Sequence, residues 1–219
     1  MKMGKTKAHS SRYKLKDGKF AKSVTTVINS NLGWNKNVLI GWARKQALMG
    51  NDPTLVLNEA ASIGTLTHYL VECEIKKETP DTDDYTKSQI EKATNGYNGF
   101  LDWQKAYKPK YIGIELRLLD EKNGIGGTAD MFAELDGALC IGDLKTSKFL
   151  YDEHLIQLGC YAHMYESIQP KAKVKSGFVL RVDKENGSFT HHHISRKQLD
   201  WGWGVFQCLM ELEDLKKKK

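Results

Sequence analysis

The apolar residues follow two different rhythms along the chain. From Ala60 to Lys77 they recur every three to four positions, the spacing of one helix face. The stretch "YIGIELRLL" and the segments after it either alternate or run almost continuously apolar, as half-buried and fully buried strands do. This patterning predicts helices over 37–49, 60–77, 84–107, 152–168 and 196–215, and strands over 111–119, 127–135, 138–146, 174–183 and 187–195. Helices, then a three-strand meander, a crossover helix and more sheet is the order of an α/β domain with a central mixed sheet flanked by helices. No internal repeat interrupts it, and the one polar break, "KKETPDTDDYTKS", is expected to be a surface loop beside the functional site. With 219 residues, 40% of them hydrophobic, the chain is long enough to close one full core.

Asp136-Gly137, between two strand-like runs, is a strong hairpin signal. Taking it as the loop sets Leu135 opposite Ala138 and, counting back, Asp130 opposite Asp143 on one face. Lys145 points to the same side as Asp143 and faces Thr128. Directly opposed side chains lie about 4.5–5.5 Å apart at Cβ, so two carboxylates there repel. Met131, Phe132, Ala133, Leu135, Leu139, Cys140, Ile141 and Leu144 surround them with apolar groups on both faces, which predicts strands buried in mid-sheet. Burial and proximity both oppose ionisation, so the acids are expected either to share a proton or to hold a cation between them. Carboxylates are hard ligands suited to Mg²⁺ or Mn²⁺. An ammonium beside such a cation can hold and help deprotonate a water, or stabilise charge growing on a phosphate under attack. The plainer alternative is a same-face Asp143–Lys145 ion pair in a structural sheet.

An Asp, a second acid thirteen residues later, one spacer and a Lys resemble the pattern of the PD-(D/E)XK nuclease superfamily. The segment "GGTADMFAELDGALCIGDLKTSKFLYDEHLIQLGCYAHMYE" is similar to its RecB-like branch, which includes phage exonucleases and the mitochondrial genome maintenance exonuclease. There the second acid is followed by Lys-Thr and a helix bearing Gln and Tyr, here Asp143, Lys145, Thr146, Gln157 and Tyr161. "GTLTHYLVE" resembles the branch's Gly-x-x-x-His motif, and "RYKLKDGKFAKSVTTVI", beginning at Arg12, its basic hairpin leading into Ser-Val-Thr. Ala129 stands where the superfamily's name has Pro, which this branch commonly lacks.

The resemblance implies a single-domain restriction-endonuclease-like core over residues 23–215, preceded by a basic segment, 1–22, packed on it as a hairpin and followed by a lysine tail, 216–219. It implies a metal-dependent DNA exonuclease hydrolysing phosphodiester bonds from DNA ends in recombination, repair or replication. Asp130, Asp143 and Lys145 would be catalytic, and His68, Asp130, Asp143 and the Leu144 carbonyl would ligate Mg²⁺ or Mn²⁺. Gln157, Tyr161, Thr146, Glu115, Trp34 and Arg12 would contact substrate. The partner would be DNA with ends, single- or double-stranded, and a recombination or single-strand-binding protein is a further one. A phage origin, with action in the cytoplasm of a bacterial host, goes with this reading. A structure-specific or restriction-type endonuclease would use the same site, and a non-cleaving DNA-binding partner in a recombination complex is the alternative of another class. Individual residues have plainer readings too: a buried imidazole for His68, packing for Tyr161, a strand-edge salt bridge for Glu115.

Charge and cysteine content narrow these options. Residues 1–22 hold eight Lys/Arg against one Asp and the last four residues are all Lys, so the ends carry +11 and the body between them −5 of the net +6. Attraction to a polyanion is therefore expected from the ends and local patches, weakening steeply with salt. Trp34 and Trp42 among Lys36, Arg44 and Lys45 have the composition of a stacking platform for unpaired bases, but Trp42, Trp201 and Trp203 in helical patterns are expected in the core, which leaves Trp34. Cys73, Cys140, Cys160 and Cys208 are scattered without cluster or zinc spacing, so no iron-sulfur cluster is expected and they read as reduced thiols. With no signal-peptide pattern and no apolar run that could span a bilayer, a reducing cytoplasm and no membrane are expected. "MGKTK" lacks the upstream glycine of a phosphate loop, and "THHHIS" reads as an exposed edge strand on which only His191 and His193 could share a metal.

Overall fold

The structure is a computed structural model that describes residues 13–218; Arg12 and the remainder of the first segment lie outside the described residues, as does Lys219. The elements run β1 (Lys22–Ser23), α1 (Val24–Asn31), α2 (Lys36–Leu48), α3 (Pro53–Lys76), α4 (Lys87–Tyr107), β2 (Lys110–Asp120), β3 (Ile125–Leu135), β4 (Ala138–Lys145), α5 (Asp152–Ile168), β5 (Ser176–Val182), β6 (Phe189–Ser195) and α6 (Arg196–Lys216). Every element read from the sequence forms, and β1 and α1 are additional. The run "VTTVINSN" is too short and too rich in β-branched residues for its period to identify a helix. α3 starts at Pro53 rather than Ala60 because Asp52 caps it, accepting the Thr54 N–H at 2.7 Å, and Pro53 fits the first helical turn. Ahead of β1, Lys14 and Phe20 form an antiparallel bridge closed by Leu15 N–H donating to the Lys19 carbonyl at 2.8 Å.

The sheet is mixed and open, ordered β1-β3-β4-β5-β6, with β2 along the other edge of β3. β3–β4 is the predicted hairpin, paired from Leu135↔Ala138 to Met131↔Gly142. Its loop has positive φ at both positions, 48° at Asp136 and 76° at Gly137, as a two-residue hairpin turn requires. Beyond Met131 the strands part. β4 goes on pairing in parallel with β5 as far as Lys145↔Arg181, while that edge of β3 is taken up again only by β1, at Ile125 and Gly126. The result is a fork between β3 and β4, bordered by residues 127–130 on one prong and Asp143 to Lys145 on the other.

Helices cover both faces. α1, α5 and α6 bury Ile125, Ala129, Phe132, Ile141 and Val179 on one side; Val71 of α3 and Phe100 and Trp103 of α4 meet Met131, Leu144, Phe178 and Leu180 on the other. α5 and α6 touch at two glycines, where a Cβ on Gly159 would lie 2.3 Å from the Leu199 carbonyl oxygen and one on Gly202 would lie 2.4 Å from that of Leu155. β6 is the edge strand expected, yet His191 is not an exposed histidine. Its ring stacks on Tyr107 at 4.3 Å and Phe178 at 5.0 Å, and its Nδ1 accepts the Trp103 indole N–H at 2.9 Å. α4 lies over this edge and covers the ring.

The tryptophan expectations need correction. α2 contributes no buried residue, so Trp42 is half-buried against its surroundings rather than in the core, and Trp201 is 42% exposed. For Trp42 the reason is placement: α2 packs chiefly on α3, so most of its apolar residues have no layer to enter. Trp203 does pack against the core, stacked on His163 at 4.3 Å. Among the described residues no helix is long and apolar enough to cross a membrane.

Candidate metal centre

The pleat changes face at the fork. Ile114 packs with Met131 on the α3/α4 side, whereas Leu116, two residues on, packs with Ala129 on the other, so alternation slips at Glu115 and at Asp130 across from it. Glu115 takes up this slip with φ of 47°, a left-handed conformation that costs a side-chain-bearing residue about 1–3 kcal/mol and is held only by surrounding structure. Both carboxylates are half-buried at the edge of the apolar layers.

His68, brought in from the middle of α3, completes a group. One ligand atom each from His68, Glu115 and Asp130 lie within 4.8 Å of one another, and the His68 Nδ1 stands 3.5 Å from Asp130 Oδ2. In place of a directly opposed acid pair, Asp130 Oδ2 accepts the Leu144 N–H at 2.8 Å, an amide that the fork leaves without a strand partner on that side. Asp143 is outside the 4.8 Å group. It is buried, and the Lys145 ammonium donates to its Oδ1 at 2.7 Å. Lys145 is as close to Oδ2, but without hydrogen-bond geometry, so Oδ2 is buried with no hydrogen-bond partner.

The electrostatics of the cluster are those of excess negative charge. Burial, then Asp130 and Glu72, push the Glu115 carboxyl up to about 8, against the pull of Lys76. Burial likewise raises Asp143, with Asp130 adding to the effect and Lys145 opposing it. Burial works to lower the Lys145 pKa, but Asp143 and Asp130 outweigh it and hold the ammonium above its ordinary value. An imidazole and three carboxylates, one of them with an orphaned oxygen, fit a hard divalent cation, which would supply the charge this cluster lacks. His68, Glu72, Glu115, Asp130 and Leu144 line a cavity of about 10 Å³, room for a single ion or water.

The remaining predicted residues lie around this centre or away from it. Tyr161 of α5 enters the fork so closely that a Cβ on Gly127 would stand 2.3 Å from its ring, and Gln157 lies beside its hydroxyl. Burial pushes that phenol well up. Thr146 abuts α3 at Gly64, whose Cβ position is 3.2 Å from the Thr146 hydroxyl. Trp34 is 55% exposed and tilts against Trp201 at 6.2 Å, apart from the acids. Arg12 lies outside the described residues. Three neighbours escaped the sequence reading. Glu72 lines the cavity one helical turn from His68, a spacing that could have flagged it. His154 feels Lys145 and has its pKa pushed down to about 4, chiefly by burial. Tyr13 fills the mouth of the fork, its hydroxyl 2.8 Å from Thr128 Oγ1; no local pattern linked it to a residue so far along the chain.

No protein-family model matches the sequence, and no curated protein resembles it. Among solved structures the fold is similar to that of a proposed exonuclease from Eubacterium rectale, with 14% identity, a TM-score of 0.54, and coverage of 87% of this chain and 79% of that one. LHK-Exo, solved in complex with dAMP, aligns over 73% of this chain and 90% of its own, with 12% identity and a TM-score of 0.32. The first of these similarities establishes a shared α/β fold, a mixed open sheet between helical layers.

Proposed function

We propose that the chain is a Mg²⁺- or Mn²⁺-dependent deoxyribonuclease that hydrolyses phosphodiester bonds from DNA ends, in recombination, repair or replication. The observation that carries this reading is the convergence of His68, Glu115 and Asp130 beside the buried Asp143–Lys145 pair at a fork in the sheet. The fold shared with the Eubacterium rectale protein agrees with it. Asp130, Asp143, His68 and the Leu144 carbonyl, with Glu115 added to them, would hold the cation. Bound there, it would polarise a phosphoryl oxygen and stabilise negative charge during hydrolysis.

The chain's own groups have separable tasks. Asp130 is fixed by the Leu144 amide, so one of its oxygens is oriented before any ligand arrives. Lys145, held protonated by Asp143 and 22% exposed, acts as a donor rather than a base: it can hold a water for in-line attack or a non-bridging phosphate oxygen. Tyr161, with Gln157, closes the α5 side of the fork and limits where a phosphate can sit.

The test is digestion of end-labelled linear DNA and covalently closed circular DNA with Mg²⁺, with Mn²⁺ and with a chelator. Metal-dependent loss of the linear form with the circle intact is expected, and cleavage of the circle would turn the reading to an endonuclease. Asp143→Asn and Lys145→Ala should abolish cleavage while DNA binding persists; wild-type rates in either variant would overturn the site.

A further inference from the structure

We propose that α2 and the first turns of α3 form an arm that grips an unpaired DNA strand, so that the substrate of the centre described above is single-stranded. This rests on the nuclease reading and names the substrate form. The arm exposes an unusual amount of apolar surface: Val38 is 61% exposed, Ile40 56%, Leu48 79% and Leu55 66%. Patches of this kind on an otherwise well-packed domain mark binding surfaces. The same helix exposes Lys36, Arg44 and Lys45, and no Asp or Glu occurs anywhere from Gly18 to Asn51. Apolar and aromatic contacts interleaved with cations match an unpaired strand, whose base faces are open for stacking and whose phosphates need counter-charge. A duplex keeps its base faces inside the stack and would leave the apolar surface wet.

The arm is joined to the centre at two points. Asn35, at its root, donates to both Glu153 carboxylate oxygens at 2.7 Å, at the start of α5. Gly64 of α3 meets Thr146, directly after Lys145. Two further exposed aromatics flank these joints in sequence, Phe149 (65% accessible) shortly after Thr146 and Trp34 just before Asn35. A second copy of the chain fits less well. A two-fold contact sets a patch against itself, which would face Lys36, Arg44 and Lys45 with their own copies; α2 carries no acid to offset them, and the two acids at the start of α3, Asp52 and Glu59, already accept from Thr54 N–H and Gln89.

The test is fluorescence anisotropy of a labelled single strand of about 20 nucleotides and of a blunt duplex of equal length, both in chelator so that nothing is cut. Wild-type protein should bind the single strand at least about tenfold more tightly, and Ile40→Ser/Leu48→Ser should remove that preference while leaving duplex affinity and the melting temperature unchanged. Equal affinity for the two DNA forms, or a variant that keeps the preference, would overturn the proposal. So would a wild-type dimer that the substitutions dissociate, or phosphatidylserine vesicle binding that they abolish, with single-strand affinity unaltered. Metal-dependent digestion is read separately: arm-dependent single-strand binding without cleavage would uphold the arm and sink the nuclease, and cleavage indifferent to the arm would do the reverse.

Discussion

Replacing Glu115 by Gln should stabilise the protein when metal is withheld. The site crowds this carboxyl against Asp130 and Glu72 in a half-buried setting and raises its pKa to about 8. The unfolded chain releases the proton near the ordinary carboxylate value, while the folded chain keeps it until about 8. The folded state therefore binds the extra proton, and stability falls as pH rises from the unfolded value through the folded one, then levels off. At pH 8 the full shift corresponds to several kcal/mol; allowing for relaxation and screening, we take about 2 kcal/mol as the expected penalty. Gln keeps the shape and removes the charge. In chelator at pH 8 the variant should melt about 4–8 °C higher than wild type, with the gap closing toward pH 5. Adding Mg²⁺ or Mn²⁺ should raise the wild-type melting temperature more than that of the variant, because a cation relieves the same repulsion. A variant that melts at or below wild type in chelator at pH 8 would refute the picture of a charge-crowded centre.

Other positions test the framework. His191, held neutral by burial with its pKa pushed down to about 4, gives stability that is complete above the ordinary histidine pKa and lost as pH falls toward about 4. In His191→Phe that acid-range loss should shrink on thermal melts, while at pH 8 the orphaned Trp103 N–H should cost about 1–3 kcal/mol. Gly202→Ala puts a methyl 2.4 Å from the Leu155 carbonyl oxygen, and it should lower the melting temperature sharply or leave the protein insoluble; a wild-type melt would contradict the α5–α6 contact. Asp52→Ala removes the cap on Thr54 N–H and should cost about 1 kcal/mol, read by urea unfolding.

Much of this arrangement was legible in the letters for identifiable reasons. Asp136-Gly137 fixed the hairpin register, since both positive φ values suit those residues. What stayed hidden depends on contacts distant in sequence. The fork cannot be counted from a hairpin turn, because it arises where β4 keeps pairing with β5 after leaving β3. A break in alternation at Glu115 is invisible to any period-two reading, and so was that residue's approach to His68 and Asp130. The apolar pattern of α2 resembles that of a core helix, and only its position, packed chiefly on α3, shows that it faces outward.

The length of α3 has one more implication. A helix rises about 1.5 Å per residue, so the thirteen residues from Leu55 to His68 set a span of about 20 Å between the outlying tip and the imidazole. Both are carried on one beam, pinned against Thr146 at Gly64 between them. Anything held at the tip would therefore sit about 20 Å from the imidazole, and it could reach the acids only by extending along the helix that carries both.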